Sequence, residues 1–148
     1  MNPTVIAIIA VIIGGALTAL QGPTNARLAG AVASPVNAAL ISFAIGTVAL
    51  LALAAVLQTK PDMAATRALP PAAWLGGLYG AVFVVASAYA VPRLGVATTI
   101  VLMVAGQMML SLILDHFGFM GVPKQPITLT RLAGVAMLIG GVLLVRKG

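Results

Sequence analysis

Four long stretches without a charged residue constrain this chain more than any other feature. They cover residues 1–26, 28–59, 68–92 and 94–114. Each is at least as long as the roughly 20 residues with which an α-helix crosses a lipid bilayer. The chain is 61% hydrophobic and 7% charged, whereas an average soluble domain is about 25% charged. We therefore expect an integral membrane protein.

A fifth apolar segment, residues 132–145, is shorter because charged residues bound it. It reaches spanning length if its helix begins near residue 128, since the long side chain of Arg131 can extend toward the lipid headgroups. The sequence therefore predicts an all-α fold of five transmembrane helices in one domain over residues 1–148. The predicted helices cover about residues 3–29, 35–58, 71–91, 95–117 and 128–146.

Prolines mark where several of these helices begin or end. Asn2-Pro3 and Ser34-Pro35 each place a capping side chain before a proline, which is favourable at the first helical position. The third helix is predicted to end before Pro92.

The eight basic residues stand singly or in pairs near helix ends, as in membrane anchors and unlike a nucleic-acid-binding patch. With five helices, each side of the membrane carries four of them. Because the Lys and Arg bias of short loops sets orientation, this tie predicts that both orientations coexist in one membrane. The alternative is that the amino terminus or the order of folding determines a single orientation. The first side has Lys60, Arg67, Lys124 and Arg131, and the second has Arg27, Arg93, Arg146 and Lys147.

A chain of five helices that inserts in both orientations suggests how the protein assembles. Many transporters contain two halves of inverted topology with the solute site between them. This chain shows no internal repeat, so an inverted second copy would have to supply the other half. We expect an antiparallel homodimer of ten helices. Small residues at four-residue spacing, as in Gly76-x-x-x-Gly80 and Ala136-x-x-x-Gly140, allow close helix approach.

The first predicted helix has a polar stripe on one face. Pro23 cannot donate a hydrogen bond to the carbonyl of Ala19, and a freed carbonyl in the membrane is tolerated only against protein or a water-filled cavity. The stripe is therefore expected to face inward. It consists of Gly14, Thr18, Gln21 and Asn25, which fall within an arc of about 60°.

The fourth predicted helix carries a matching polar row, with Gln107, Ser111 and Asp115 at four-residue spacing. Asp115 lies about 12 Å along the helix from Gln107, near one membrane surface. It is either an ionisable functional group or a carboxylate that pairs with His116 or Arg131 at the helix end. In an inverted dimer, Asp115 of one copy reaches the level of Arg27 in the other.

These polar groups are the candidate site. The amides either line a solute path or only fasten helices together by hydrogen bonds. We find no cluster of metal ligands, no catalytic constellation and no phosphate-binding loop, so we expect no metal, no cofactor and no enzymatic activity. The candidate solute-binding residues are Gln21, Asn25, Asn37, Gln107 and Ser111, and the candidate ion-coupling residue is Asp115.

The segments that carry these residues resemble the bacterial YdcZ family of the drug/metabolite transporter superfamily. The resemblance rests on LQGPTNARLAG, SPVNAALISFAIGT, GQMMLSLILDHFGFMG and RLAGVAMLIGGVLL. It implies a five-helix unit of the bacterial inner membrane that pairs in opposite orientations like the small multidrug resistance exporters. Those exporters carry a glutamate in their first helix, where this chain has only Gln21 and Asn25, so proton coupling would fall to Asp115.

Two functions remain open at this stage. The first is transport or export of a polar metabolite or drug-like solute by alternating access between two inverted subunits. Uncharged amides suit a neutral or zwitterionic solute. The alternative is a non-transporting structural, lipid-binding or assembly module of the membrane.

Overall fold

The computed structural model describes residues 2–147, except for the side chain of Arg146. Within this range the regular structure is helical and no strand occurs. Short 3₁₀ helices cover Pro71–Leu75 and Phe119–Gly121. The α-helices are α1 (Pro3–Ala31), α2 (Pro35–Leu57), α3 (Met63–Arg67), α4 (Gly76–Leu94), α5 (Val96–Phe117) and α6 (Leu129–Lys147). The chain divides after Arg93 into two compact units.

Length and hydropathy confirm the predicted class, an all-helical integral membrane protein. Four segments are long and apolar enough to cross a membrane, namely α1, α2, Pro71–Leu94 and α5. The apolar part of α6, Leu129–Val145, is shorter. The count of five membrane-spanning helices therefore stays a prediction.

The predicted amino-terminal caps of α1 and α2 are confirmed. The Asn2 side chain accepts a hydrogen bond of 2.9 Å from the Thr4 N–H, and Pro3 follows it. Ser34 Oγ accepts one of 3.2 Å from the Asn37 N–H. Each cap pairs a backbone donor that has no partner within its own helix.

The carboxyl end of α4 differs from the prediction, because the helix continues through Pro92 to Leu94. Proline at this position only leaves a carbonyl near the helix end without its usual donor. The Arg93 guanidinium donates a hydrogen bond of 2.6 Å to the carbonyl of Tyr89 and lies 3.7 Å from the centre of the Tyr89 ring. This long basic side chain therefore supports the last turn that proline alone would weaken.

The loop after α2 contains a helix that the sequence analysis did not predict. The Asp62 side chain accepts hydrogen bonds of 3.0 Å from the backbone N–H groups of Ala64 and Ala65. A carboxylate at this position pairs the first free donors of a helix and favours one short turn. The result is α3, which ends at Arg67.

The first unit has a core of small side chains. Ala29 of α1, Ala38 of α2 and Ala88 of α4 are buried together, with Leu28 and Val32 packed around them. By contrast, every residue of α1 from position 3 to position 18 is exposed. A largely apolar exposed surface is what lipid acyl chains can cover without an unpaired polar group.

The second unit is built from α5 and α6, which contact each other. Its buried apolar residues are Ala105, Leu112, Val135 and Val142. Thr99 near the start of α5 is also buried, and its hydroxyl donates a hydrogen bond of 2.7 Å to the carbonyl of Gly95. Threonine is tolerated there because its own helix supplies the acceptor.

Candidate functional site

The candidate residues fall into both units. Gln21 and Asn25 lie one turn apart on α1, and Asn37 is exposed in the first turn of α2. Gln107 is exposed and Ser111 half-buried on α5. The prediction that the polar stripe of α1 faces inward holds within one chain only for Asn25, since Gly14, Thr18 and Gln21 are exposed.

Asn25 is the most deeply buried of the candidates. It retains 3% of its exposure, and its Nδ2 has no hydrogen-bond partner among the described residues. One turn earlier, α1 approaches α4 closely: a Cβ at Gly22 would lie 3.0 Å from Ser87 Oγ and 3.2 Å from Val91 Cγ2. Glycine at this position is what permits the approach. Ser87 was not among the residues predicted from the sequence, because only its tertiary contact with Gly22 identifies it.

Gln21 lines a groove between α1 and α2 with a volume of about 210 Å³. The other lining residues all come from α2, and two of them carry hydroxyls. The hydroxyl of Thr47 donates a hydrogen bond of 2.8 Å to the carbonyl of Phe43, so its oxygen can still accept one. The α2 side of this groove was not predicted from the sequence, although Ser42 and Gly46 lie at four-residue spacing. The lining residues are Gln21, Ser42, Phe43, Gly46, Thr47 and Leu50.

In the polar row of α5, Ser111 is hydrogen-bonded within its own helix. Ser111 Oγ donates a hydrogen bond of 2.9 Å to the carbonyl of Met108. Serine and threonine hydroxyls that bond a carbonyl one turn earlier keep a free acceptor lone pair. Gln107 keeps an exposed amide near the middle of the helix.

Asp115 at the end of α5 is paired within the chain. Its Oδ2 lies 3.2 Å from Arg131 Nη1 of α6, with side-chain exposures of 36% and 30%. Arg131 also donates a hydrogen bond to the side-chain oxygen of Gln125. The Gln125 N–H in turn donates to the backbone carbonyl of Asp115 over 2.8 Å. The sequence left an Asp115–Arg131 pair open as one alternative, and the structure contains it.

His116, the residue after Asp115, also contacts the loop between α5 and α6. The Ile127 N–H donates a hydrogen bond of 3.2 Å to His116 Nδ1, which accepts it with its ring lone pair. Gly118 ends α5 at φ 66°, where a Cβ would lie 3.4 Å from the carbonyl oxygen of Val122. We call the contacts of Asp115, His116, Gln125 and Arg131 the loop clasp. It fastens residues 118–128 across the α5–α6 connection.

The searches of curated proteins and of solved structures give no match. A family model described as "Putative inner membrane exporter, YdcZ" matches residues 6–144. This range contains α2, α3, α4 and α5 completely and most of α1 and α6. The protein therefore belongs to the YdcZ family of inner-membrane transporters, as a multi-pass membrane protein.

Proposed function

We propose that two copies of this chain, inserted in opposite orientations, form an exporter that moves a polar metabolite or a drug-like solute by alternating access. Membership in an exporter family and the long apolar helices support a transport function. Inverted halves with a solute site between them are a common architecture of secondary transporters.

The observation that carries this proposal is the exposure of amides on membrane-length helices. Gln21 of α1 and Gln107 of α5 are both exposed in the single chain. An amide that faces hydrocarbon without a hydrogen-bond partner costs roughly 2–7 kcal/mol relative to water. A second copy, or a water-filled cavity between two copies, would remove this cost. The same groups would then be available to a solute.

The balance of four basic residues on each side holds only for five spans, so the proposal needs α6 to cross the membrane as well. Its 19 residues correspond to about 28 Å at 1.5 Å per residue, close to the hydrocarbon thickness of about 30 Å. Arg131 lies in its first turn and is paired with Asp115, which lowers the cost of placing its charge at the edge of the bilayer. Five spans with equal basic charge on each side would leave neither orientation favoured.

Asp115 remains the proposed ion-coupling residue, with the loop clasp as its competing role. The guanidinium of Arg131 competes with any bound cation for Asp115 Oδ2. Arg27 of an inverted copy would likewise have to compete with Arg131 for the same carboxylate. Substitution of Asp115 by asparagine distinguishes the roles: ion coupling predicts loss of ion-driven transport, whereas a purely structural role predicts only lower stability.

The direct test is transport by purified protein in liposomes, across a broad panel of metabolites. We expect accumulation of at least one polar solute, and a reduced rate for Gln107→Leu, which removes the amide but keeps a similar size. Met109→Leu is the matched control, because Met109 is also exposed on α5. If no solute moves and Gln107→Leu changes only the melting temperature, the protein is a non-transporting membrane module.

A further inference from the structure

The side chain of Asn25 contains a buried hydrogen-bond donor that is not paired within the described part of the chain. Its Nδ2 is enclosed and has no hydrogen-bond partner among residues 2–147. A buried donor without an acceptor destabilises the conformation that contains it, since the group gives up water and gains nothing. A conformation in which this amide finds an acceptor is correspondingly favoured.

The contacts around Asn25 indicate where such a conformation would open. Gly22 and Ala29 lie about one turn to either side of Asn25 on the buried face of α1. Gly22 meets Ser87 of α4, and Ala29 belongs to the alanine cluster with Ala88. On either side of Asn25 the two helices therefore meet through small residues that let their backbones approach closely, so separating them here would uncover Asn25.

α1 also has a local means of bending beside Asn25. Pro23 lies inside the helix and removes one backbone hydrogen bond two residues before Asn25. Sharp helix bends occur at such positions. Movement of the amino-terminal half of α1 about Pro23 would separate Gly22 from Ser87 without unfolding a regular helical turn.

We propose that Asn25 is a solute-binding residue, whose Nδ2 donates a hydrogen bond to an oxygen acceptor of the transported solute when α1 separates from α4 at Gly22 and Ser87. This inference rests on the proposed transport function. The structure is then a closed form in which Asn25 Nδ2 is buried and has not yet bound the solute oxygen. The Ser87 hydroxyl is the second group exposed by the same movement. An uncharged amide and a hydroxyl select a neutral or zwitterionic solute with a carbonyl or carboxylate oxygen.

Opening can be tested without knowing the solute, because the chain contains no cysteine. The Asn25→Cys variant is reconstituted into liposomes. It is then treated with a small, charged, membrane-impermeant thiol reagent. Val142→Cys is the control, since Val142 of α6 is 5% exposed and lies outside the proposed opening. An open state populated at about 0.1–10% should make the cysteine at position 25 react at least about tenfold faster than the control. Equal rates would overturn the proposed opening.

Binding then tests the role of the amide. Solutes that raise the melting temperature of the wild-type protein are titrated against Asn25→Ala and against Thr24→Val. Thr24 is exposed on the adjacent position of α1, and its hydroxyl bonds the carbonyl of Leu20. We expect Asn25→Ala to weaken binding at least about tenfold without lowering the melting temperature of the ligand-free protein. Thr24→Val should bind as the wild type does.

The opposite pattern identifies Asn25 as a helix fastener. In that case Asn25→Ala lowers the melting temperature of the ligand-free protein and leaves solute affinity unchanged, so the inference fails while the transport function stands. If the wild-type protein binds no compound of the panel, the transport function itself is contradicted, whatever the labelling rates.

Discussion

Replacing Gly22 by alanine tests the close approach of α1 to α4. A Cβ at this position would lie 3.0 Å from Ser87 Oγ and 3.2 Å from Val91 Cγ2, whereas a Cβ at Gly15 of the same helix would have no such neighbour within 4 Å. Each Gly→Ala change removes a flexible residue from a helix, which favours folding by about 0.5–1 kcal/mol. Only Gly22→Ala also crowds a helix contact, at a cost of about 1–3 kcal/mol.

The two variants should therefore move in opposite directions. Gly15→Ala is expected to gain about 0.5–1 kcal/mol in the free energy of unfolding. Gly22→Ala is expected to lose up to about 2.5 kcal/mol, the difference between the crowding cost and the helix gain. Unfolding in mixed detergent micelles, followed by circular dichroism, measures both. Equal gains for the two variants would refute the close approach.

A double substitution assigns the crowding to one atom. Ser87→Ala removes the Oγ that lies nearest to the added Cβ, so the combination with Gly22→Ala should be more stable than the two single effects predict. Contacting residues couple by about 0.5–3 kcal/mol in such cycles. Strict additivity would show that Ser87 does not limit the approach.

The loop clasp supplies the remaining predictions. Arg131→Gln should lower the free energy of unfolding by about 1 kcal/mol or less, because the pair with Asp115 is partly exposed, and the loss should shrink at high salt in detergent titrations. His116→Leu removes the acceptor for the Ile127 N–H and should cost about 0.5–1.5 kcal/mol, whereas His116→Asn can present a side-chain oxygen near the Nδ1 position and should retain most of it. Faster amide hydrogen exchange at Ile127 in His116→Leu but not in His116→Asn checks this directly, and equal exchange in both would contradict the assigned bond.

The membrane-spanning helices could be predicted because their signals are local. A long run without charge identifies a span by itself, and Asn2-Pro3 and Ser34-Pro35 specify helix starts through the residue and its immediate neighbours. The predicted end of α4, before Pro92, was wrong. Proline near a helix end removes only one hydrogen bond, and Arg93 supports the last turn.

The candidate site was less predictable, because burial depends on contacts that are distant in sequence. The sequence analysis treated Gln21 and Asn25 alike, yet one lines an open groove and the other is buried. Ser87 meets Gly22 from another helix, so no spacing along the chain could pair them. For Asp115 the sequence offered two partners, and only the course of the loop after α5 brings Arg131 to it.

The orientation of the protein in its native membrane tests the central claim most directly. A cysteine introduced by Gln58→Cys, in the exposed loop after α2, changes no charge and is the only cysteine in the chain. An impermeant thiol reagent is added to intact cells and, separately, to inverted membrane vesicles. Equal basic charge on both sides predicts that about half of the molecules react from each side. Labelling of all molecules from one side alone would contradict the antiparallel pair.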